Sequence, residues 1–213
     1  MLAPTAGQTA PAAAASAPAG RYLALGDSVI IGTGVAPAQS FAARLVDRWT
    51  AAGCALRLEN VAVNGYTTDD LIDRELPSLT TFHPTFLTIA IGANDIVRGH
   101  AIDAYRENVR RILDAAKDSG ARVVVLPQPD WSRSLSAASI GTQAALAASI
   151  ADFNAVLAGE ARARGAEWVD LVPLMQAQAA KGPLASDGLH PSTEAYDAWA
   201  AEMARVLSSP CAK

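Results

Sequence analysis

The stretch that decides the fold is Tyr22-Leu23-Ala24-Leu25-Gly26-Asp27-Ser28, in which a short apolar run ends abruptly at Gly-Asp-Ser. An apolar run of this length closed by a glycine is typical of a buried parallel strand that ends in a tight turn. In open α/β sheets, ligands bind at the carboxyl ends of the strands. The stretch therefore predicts a strand that places the Ser28 hydroxyl at the mouth of a crevice, although a lone Gly-Asp-Ser is also common in ordinary turns.

Downstream of this stretch, apolar runs alternate with amphipathic segments. Further strands are predicted over 55–63, 86–91, 121–126 and 166–171, and helices over 41–52, 69–76, 101–119, 142–164 and 193–207. Thr68 and Thr193 are the expected N-caps of two of these helices, and the segment from Pro77 to Pro84 is expected to be a loop. Alternating strands and helices indicate βαβ units with right-handed crossovers. We therefore predict a three-layer α/β/α, flavodoxin-like fold with a five-stranded parallel sheet, order 2-1-3-4-5, and helices on both faces.

The composition favours one globular domain with a small-molecule partner. Of the 213 residues, 51% are hydrophobic and 18% are charged, with a net charge of −4 and no basic cluster. Nucleic acid and anionic membrane surfaces are therefore disfavoured as partners. No apolar run is long enough to suggest a membrane-spanning helix, and no metal-binding motif is present, so neither a metal nor an organic cofactor is expected.

Residues 1–20 differ from the rest because they contain no charged side chain and are dominated by Ala and Pro. They lack the basic start and strongly apolar middle of a secretory signal. We interpret them as a flexible leader, either the remainder of a processed signal or a tail without targeting meaning, and residues 21–213 as the single domain.

The predicted strand exits and one late loop carry chemically useful side chains. Gly26-Asp27-Ser28, Asn64-Gly65 and Gly92-Ala93-Asn94-Asp95 follow the first three strands, and Asp187-Gly188-Leu189-His190-Pro191 precedes the last helix. In a parallel sheet these segments gather at one edge. Together they supply a hydroxyl, an imidazole, a carboxylate, a carboxamide and a free amide, which are the groups that acyl transfer requires.

In order and spacing, these four segments resemble the four sequence blocks of the SGNH hydrolases, also called the GDSL esterase/lipase family, from about Arg21 to Leu207. Gly-Ala-Asn-Asp and Asp-Gly-Leu-His-Pro are most similar to the bacterial lysophospholipase/thioesterase-like and arylesterase branch. The resemblance implies Ser28 as nucleophile, His190 as proton acceptor and Asp187 as the group that orients His190. It implies an oxyanion hole formed by the backbone N–H groups of Ser28 and Gly65 and by the Asn94 side chain. Val29-Ile30-Ile31 after the serine departs from the usual pattern and leaves the substrate preference open.

Other polar and aromatic residues near these blocks admit a structural interpretation as well. Val29, Ile30, Trp131 and Leu189 are candidate substrate-binding residues, although Trp131 could equally be a packing residue. We expect Asp27 and Asp95 to bond local backbone rather than to react. His83 is expected to be structural. His100 could reach the rim of the cleft, but we expect it to face solvent instead.

The two cysteines, Cys54 and Cys211, allow one disulfide. In the predicted topology the first and last helices run in the same direction on one face, and each cysteine lies just past the end of one of them. We therefore predict a Cys54–Cys211 disulfide, against the alternative of two unrelated thiols. A disulfide favours a secreted or periplasmic location, although a cytoplasmic one is not excluded.

The leading functional prediction is a serine carboxylester hydrolase acting on short-to-medium acyl or aryl esters through an acyl-enzyme, with a monomer favoured. A carbohydrate O-acetylesterase and a thioesterase or lysophospholipase are alternatives that use the same groups. A non-catalytic binding module is a further alternative, disfavoured because no member of the triad is missing.

Overall fold

A computed structural model of the chain describes residues 18–179, 181–182 and 185–212. The five-stranded parallel sheet has the order β2-β1-β3-β4-β5, which confirms the predicted flavodoxin-like topology. Its strands are β1 (Gly20–Gly26), β2 (Leu56–Asn60), β3 (Phe86–Ala90), β4 (Arg122–Val125) and β5 (Glu167–Trp168). Of the predicted leader over residues 1–20, residues 1–17 lie outside the described part of the chain. Gly20, which the prediction placed in the leader, is the first residue of β1.

Helices cover both faces of this sheet. They are α1 (Ser28–Ile31), α2 (Phe41–Ala51), α3 (Thr68–Asp70), α4 (Ser78–Phe82), α5 (Ala93–Val97), α6 (Ile102–Asp118), α7 (Gln143–Ala163), α8 (Val172–Ala179) and α9 (Thr193–Val206). A π-helical turn over Leu71–Glu75 continues α3. One buried cluster contains Phe41, Trp49 and Trp199 from α2 and α9, and the other contains Tyr105 and Phe153 from α6 and α7. The central strands β1 and β3 are therefore covered on both sides, which explains why they are largely apolar.

The strand ends differ from the predicted bounds because the chain leaves the sheet early. Beyond Asn60, β2 does not continue to residue 63, since the Asn60 side chain donates to the Ile30 carbonyl at 2.8 Å and its oxygen accepts from Ala62 N–H. Beyond Trp168, the predicted fifth strand gives way to α8, whose first residue, Val172, donates its N–H to the Asp170 side chain at 3.0 Å.

Several short helices were not predicted. The segment expected to be a loop between Pro77 and Pro84 contains α4, and the expected exit turn after β3 contains α5. The N-caps of two predicted helices also lie one residue earlier than expected: Thr67 rather than Thr68 caps α3, and Ser192 rather than Thr193 caps α9. Neighbouring hydroxyl residues compete for a cap position, and the backbone geometry decides between them.

Within the described residues, α7 is long and apolar enough to cross a membrane, but half of its most apolar window is buried inside the fold. This burial is what a core helix of a globular domain shows.

The Cys54–Cys211 disulfide is present, with the two Cα atoms 5.6 Å apart. Cys54 follows α2 and Cys211 follows α9, and these helices pack side by side, as the topology predicted. The disulfide therefore joins the ends of two neighbouring helices at the sheet edge where β2 begins, away from the carboxyl ends of the strands.

Candidate active site

Ser28 is the first residue of α1, directly after the turn that ends β1. Asp27 caps this helix by accepting the Val29 N–H at 3.1 Å, and Ser28 itself is 8% exposed. Gly26 has φ +149°, and a Cβ there would lie 2.2 Å from the Ala90 carbonyl oxygen, so only glycine fits between β1 and β3. The chain thus passes from strand to helix within two residues, whereas the sequence pattern predicted a helix about a dozen residues later.

Asp187 and His190 lie on the loop before α9 and are hydrogen bonded. Their side chains meet at 2.7 Å, between Asp187 Oδ2 and His190 Nδ1. The other Asp187 oxygen accepts the backbone N–H groups of Leu189 and His190 at 2.9 and 3.0 Å. Partial burial alone would raise the pKa of Asp187, but these three hydrogen bonds outweigh it and lower the pKa below its ordinary value. An ionised Asp187 accepts from Nδ1–H, which leaves Nε2 of the ring available as a base.

Ser28 and His190 line the same cavity, of about 250 Å³. Within the described part of the chain, no hydrogen bond joins the Ser28 hydroxyl to the His190 ring. Hydrogen bonds between catalytic groups are often long until substrate binds, so the shared cavity is the relevant geometry. The structure thus brings hydroxyl, imidazole and carboxylate to one edge, as the sequence predicted.

Two of the three expected oxyanion donors, Ser28 and Asn94, line this cavity, whereas Gly65 does not. Asn94 lines it, and one hydrogen of its amide is bonded to the Tyr66 carbonyl at 2.9 Å. Among the described residues, the N–H groups of Ser28 and Gly65 donate to no acceptor. Asn64 rather than Gly65 contributes to the cavity wall, and the Gly65 carbonyl accepts from Arg98 at 2.9 Å. At position 65 there is room for a side chain, because an added Cβ would meet no atom within 4 Å. Glycine is favoured there by its backbone conformation, with φ +85°.

The predicted substrate-binding residues divide between the cavity and the core. Val29, Trp131 and Leu189 line the cavity. Ile30 does not: it is 1% exposed and packs in the core, because the first turn of α1 points it back at the sheet.

A second cavity of about 170 Å³ lies beside the first. Its wall includes Met175 and Trp199 from α8 and α9. Four residues line both cavities, namely Pro129, Trp131, Leu189 and Pro191. The sequence did not reveal this cavity, because α8 was not predicted.

Asp95, which is buried, and His100, which is partly exposed, form a hydrogen bond that the sequence did not predict. Asp95 accepts the Thr68 N–H at 3.0 Å rather than local backbone, and it also contacts His100 Nδ1 at 3.1 Å. The His100 side chain is 29% exposed and bonded to Asp95, so it faces solvent only in part. His83 caps α4 with φ +50°, in agreement with its structural interpretation.

Two buried carboxyl groups lie close to the end of β1 and to Ser28. Burial, with the nearby Asp95 charge, raises the pKa of Asp27 to about 7, although hydrogen bonds from Val29 N–H and Gln128 oppose the shift. Burial likewise raises the pKa of Glu75 to about 8, against a hydrogen bond from the Gly26 N–H. The role of Glu75 was missed; the one available signal was its i+4 spacing from Leu71, which places it on a buried face.

The described residues contain no group of three or more His, Cys, Asp or Glu side chains arranged to hold a metal ion.

A flavodoxin-like sheet that carries Gly-Asp-Ser after β1 and an Asp–His pair on the loop before the last helix defines a hydrolase of the SGNH type. The chain belongs to the GDSL-like Lipase/Acylhydrolase family, whose model matches residues 24–198. This confirms the family recognised from the four sequence blocks.

Individual relatives agree with this assignment. An arylesterase of Vibrio mimicus is 33% identical over 114 residues, which are 53% of this chain and 56% of that protein. The esterase TesA of Pseudomonas aeruginosa is 29% identical over 104 residues, 49% of this chain and 52% of that protein. The matched part of the chain thus spans about half the length of these curated relatives. A crystal structure of TesA superposes with a TM-score of 0.72 at 24% identity, covering 89% of this chain and 99% of that one.

Proposed function

We propose that this protein is a serine carboxylester hydrolase that cleaves short-to-medium acyl or aryl esters through an acyl-enzyme. The observation that carries the proposal is the Asp187–His190 hydrogen bond beside a cavity that also exposes Ser28 and Asn94. Family membership supports the same class of reaction.

In the first half of the reaction, His190 Nε2 removes the Ser28 proton as Oγ attacks the ester carbonyl carbon. The carbonyl π electrons move to oxygen, and the resulting oxyanion accepts hydrogen bonds from Ser28 N–H, Gly65 N–H and the free hydrogen of the Asn94 amide. The oxyanion then collapses, the carbon–oxygen bond to the leaving group breaks, and His190 protonates the departing alkoxide. Asp187 holds the ring and stabilises its cationic form throughout.

In the second half, a water molecule enters the vacated position. His190 takes one of its protons while the water oxygen attacks the acyl carbon, and the second tetrahedral intermediate breaks the bond to Ser28 Oγ, which regains the proton. The products are a carboxylic acid and the free enzyme.

The cavity favours acyl and aryl groups over sugars. Its wall carries the apolar side chains of Val29, Val97, Trp131, Ile140 and Leu189. Hydrophobic walls with a few converging polar groups are typical of sites for apolar ligands. Esters whose acyl part is an alkyl chain or a ring are therefore the proposed substrates, before acetylated glycans.

The test is ester hydrolysis by the Ser28→Ala variant. We expect the wild type to hydrolyse p-nitrophenyl acyl esters and Ser28→Ala to lose this activity while keeping its circular dichroism spectrum and Tm. Mass spectrometry of the wild type after a fluorophosphonate should locate the adduct on Ser28. Ester hydrolysis retained in Ser28→Ala would disprove the assignment, and parallel assays with acyl-CoA, lysolipid and acetylated xylan compare the alternative substrates.

We also infer that the protein works in an oxidising compartment outside the cytoplasm. The disulfide supports this, because such bonds persist mainly in secreted and periplasmic proteins. Fractionation of the native host, with thiol labelling of the recovered protein, tests it: protein found in the cytoplasm with free thiols would contradict the inference.

A further inference from the structure

Glu75 is a buried acid that the proposed mechanism does not use. It is 1% exposed and ends a π-helical turn, in which the Leu76 N–H reaches back to the Leu71 carbonyl at 3.1 Å. Such turns are rare and are often found near functional sites. In this turn both Leu71 and Glu75 are buried, so an acidic side chain points into the domain beside an apolar one.

The Glu75 side chain reaches the strand that carries the nucleophile. Its Oε2 accepts the backbone N–H of Gly26 at 2.8 Å. The register of β1 with β2 ends at Ala24 and Asn60, and beyond it the Gly26 carbonyl still accepts the Val63 N–H at 3.4 Å, whereas the Gly26 N–H has no backbone acceptor on that side among the described residues. Glu75 therefore supplies the acceptor that β2 no longer offers.

Gly26 is held tightly from its other sides as well. It pairs with Ala90 of β3, and an added Cβ would lie 2.8 Å from a side-chain carbon of Ile30 in α1. Two residues later the chain reaches Ser28. The Gly26 amide therefore lies two residues before the start of α1 and the Ser28 hydroxyl.

We propose that Glu75 is a positioning residue for the nucleophile: by accepting the Gly26 N–H, it holds the end of β1 in the position from which Ser28 enters the cavity. This inference rests on the proposed role of Ser28. Glu75 is not among the residues that line the cavity, so it acts through the backbone and not on the substrate.

The second carboxyl oxygen indicates that a neutral group can fill this role. Oε1 is buried and has no hydrogen-bond partner among the described residues. An unpaired buried oxygen costs less on a neutral acid than on a carboxylate, and burial shifts the pKa of Glu75 upward accordingly. Glutamine, which is neutral and keeps a carbonyl oxygen, should therefore replace Glu75 with little loss of kcat.

The experiment compares Glu75→Gln, Glu75→Leu and Glu75→Asp with the wild type. We expect Glu75→Leu, which has similar volume but no acceptor, to lower kcat by about 10- to 100-fold with KM nearly unchanged, as small displacements of a nucleophile do. Glu75→Gln should stay within about threefold of the wild-type kcat. Glu75→Asp, whose shorter side chain cannot reach Gly26 without a shift, should lie between them. A wild-type kcat in Glu75→Leu would overturn the proposal, and if that variant does not fold, a wild-type kcat in Glu75→Asp does so.

Glu160→Leu is the matched control for the loss of a buried acid. Glu160 is 9% exposed and bonded to Arg164 near the end of α7, remote from the cavity. We expect this variant to lose stability but to keep kcat, so that a general loss of stability is separated from misplacement of Ser28. An equal loss of kcat in Glu160→Leu and Glu75→Leu would overturn the specific role of Glu75.

Amide hydrogen exchange of the peptide over residues 22–30 keeps this test independent of the proposed activity. We expect faster exchange in Glu75→Leu and unchanged exchange in Glu75→Gln. If the wild type hydrolyses no ester, the proposed function fails, and exchange still decides whether Glu75 holds the strand end. Unchanged exchange in Glu75→Leu would overturn the positioning role.

Discussion

The hydrogen bonds around Asp187 hold the His190 ring in one orientation. One carboxylate oxygen is occupied by two backbone N–H groups, so the other is directed at His190 Nδ1 at 2.7 Å. The loop is closed by a bond from Ala185 N–H to the His190 carbonyl at 2.8 Å. Because Asp187 has several donors, its carboxylate remains ionised, and the ring keeps its proton on Nδ1 before substrate arrives.

Asn94→Ala is the residue-scale test of the oxyanion hole. Removing one donor should lower kcat for p-nitrophenyl esters by about 10²- to 10³-fold, with little change in KM, because the charge it stabilises forms only in the transition state. Val97→Ala is the matched control, since Val97 lines the same cavity without a donor and should change kcat only slightly. An unchanged kcat in Asn94→Ala would remove Asn94 from the oxyanion hole.

At the scale of elements, the segment after β4 separates two cavities. Trp131 belongs to this segment, and Leu189 belongs to the loop before α9; both line the first cavity and the second. Behind them, α8 and α9 contribute Met175 and Trp199 to the second cavity. An acyl chain too long for the first cavity would therefore contact Trp131 and Leu189 before it reached the second cavity.

Trp131→Ala should shift the preference toward longer acyl chains. Opening the shared wall lets additional methylene groups become buried, and each is worth about 0.8 kcal/mol, or about fourfold in kcat/KM. The measurement is kcat/KM for p-nitrophenyl esters of increasing chain length. Leu135→Ala is the control, because Leu135 lies on the same segment but is 91% exposed. The same chain-length optimum in the wild type and Trp131→Ala would contradict this role of the tryptophan.

For the whole molecule, the disulfide closes most of the chain into one loop. Cys54 and Cys211 are separated by 157 residues, and the bond joins the segment after α2 to the segment after α9. Restricting the unfolded chain in this way stabilises the folded state, and the benefit grows with loop length in the chain-entropy description.

Replacing both cysteines by serine should therefore lower the free energy of unfolding by about 2–5 kcal/mol, measured by urea titration. The kcat at 25 °C should not change, because both residues lie away from the catalytic edge. Reduction of the wild type with dithiothreitol should give the same loss of stability, and a urea midpoint unaffected by either treatment would contradict the prediction.

The buried acids make stability depend on pH in an unusual direction. The pKa values of Asp27 and Glu75 are raised by burial to about 7 and about 8, so between about pH 4 and these values the folded state binds protons that the unfolded chain has released. Stability therefore falls as pH rises through this window. Glu75→Gln should show a smaller decline in the urea midpoint between pH 5 and pH 8.

Glu160→Gln serves as the control for the pH prediction. The pKa of Glu160 is lowered: burial opposes the shift, but the side-chain bonds and charges of Arg110 and Arg164 outweigh it. The stability that ionised Glu160 contributes is lost only when the pH falls below the ordinary pKa of a glutamate. The Glu160→Gln variant should therefore be destabilised by a similar amount at pH 5 and at pH 8. An equal decline in the wild type and Glu75→Gln would show that Glu75 does not release its proton in this window.

The sequence by itself determined the family, the sheet order and which polar side chains lie at the carboxyl edge of the sheet. The largely apolar runs over residues 22–25 and 86–91, each followed by a glycine, identify the two central parallel strands, and the parallel topology places Ser28, Asn94 and His190 at one edge of the sheet. The same topology placed Cys54 and Cys211 together.

Only the tertiary structure decided which side chains line the cavities and which hold them in place. Ile30 follows Val29 in the sequence, but the first turn of α1 buries it in the core. The second cavity depends on α8, and the contact of Glu75 with Gly26 depends on a π turn meeting β1 beyond its pairing with β2. Such contacts join segments that are distant along the chain, so they are set by packing and by unpaired backbone groups, which no local pattern in the sequence records.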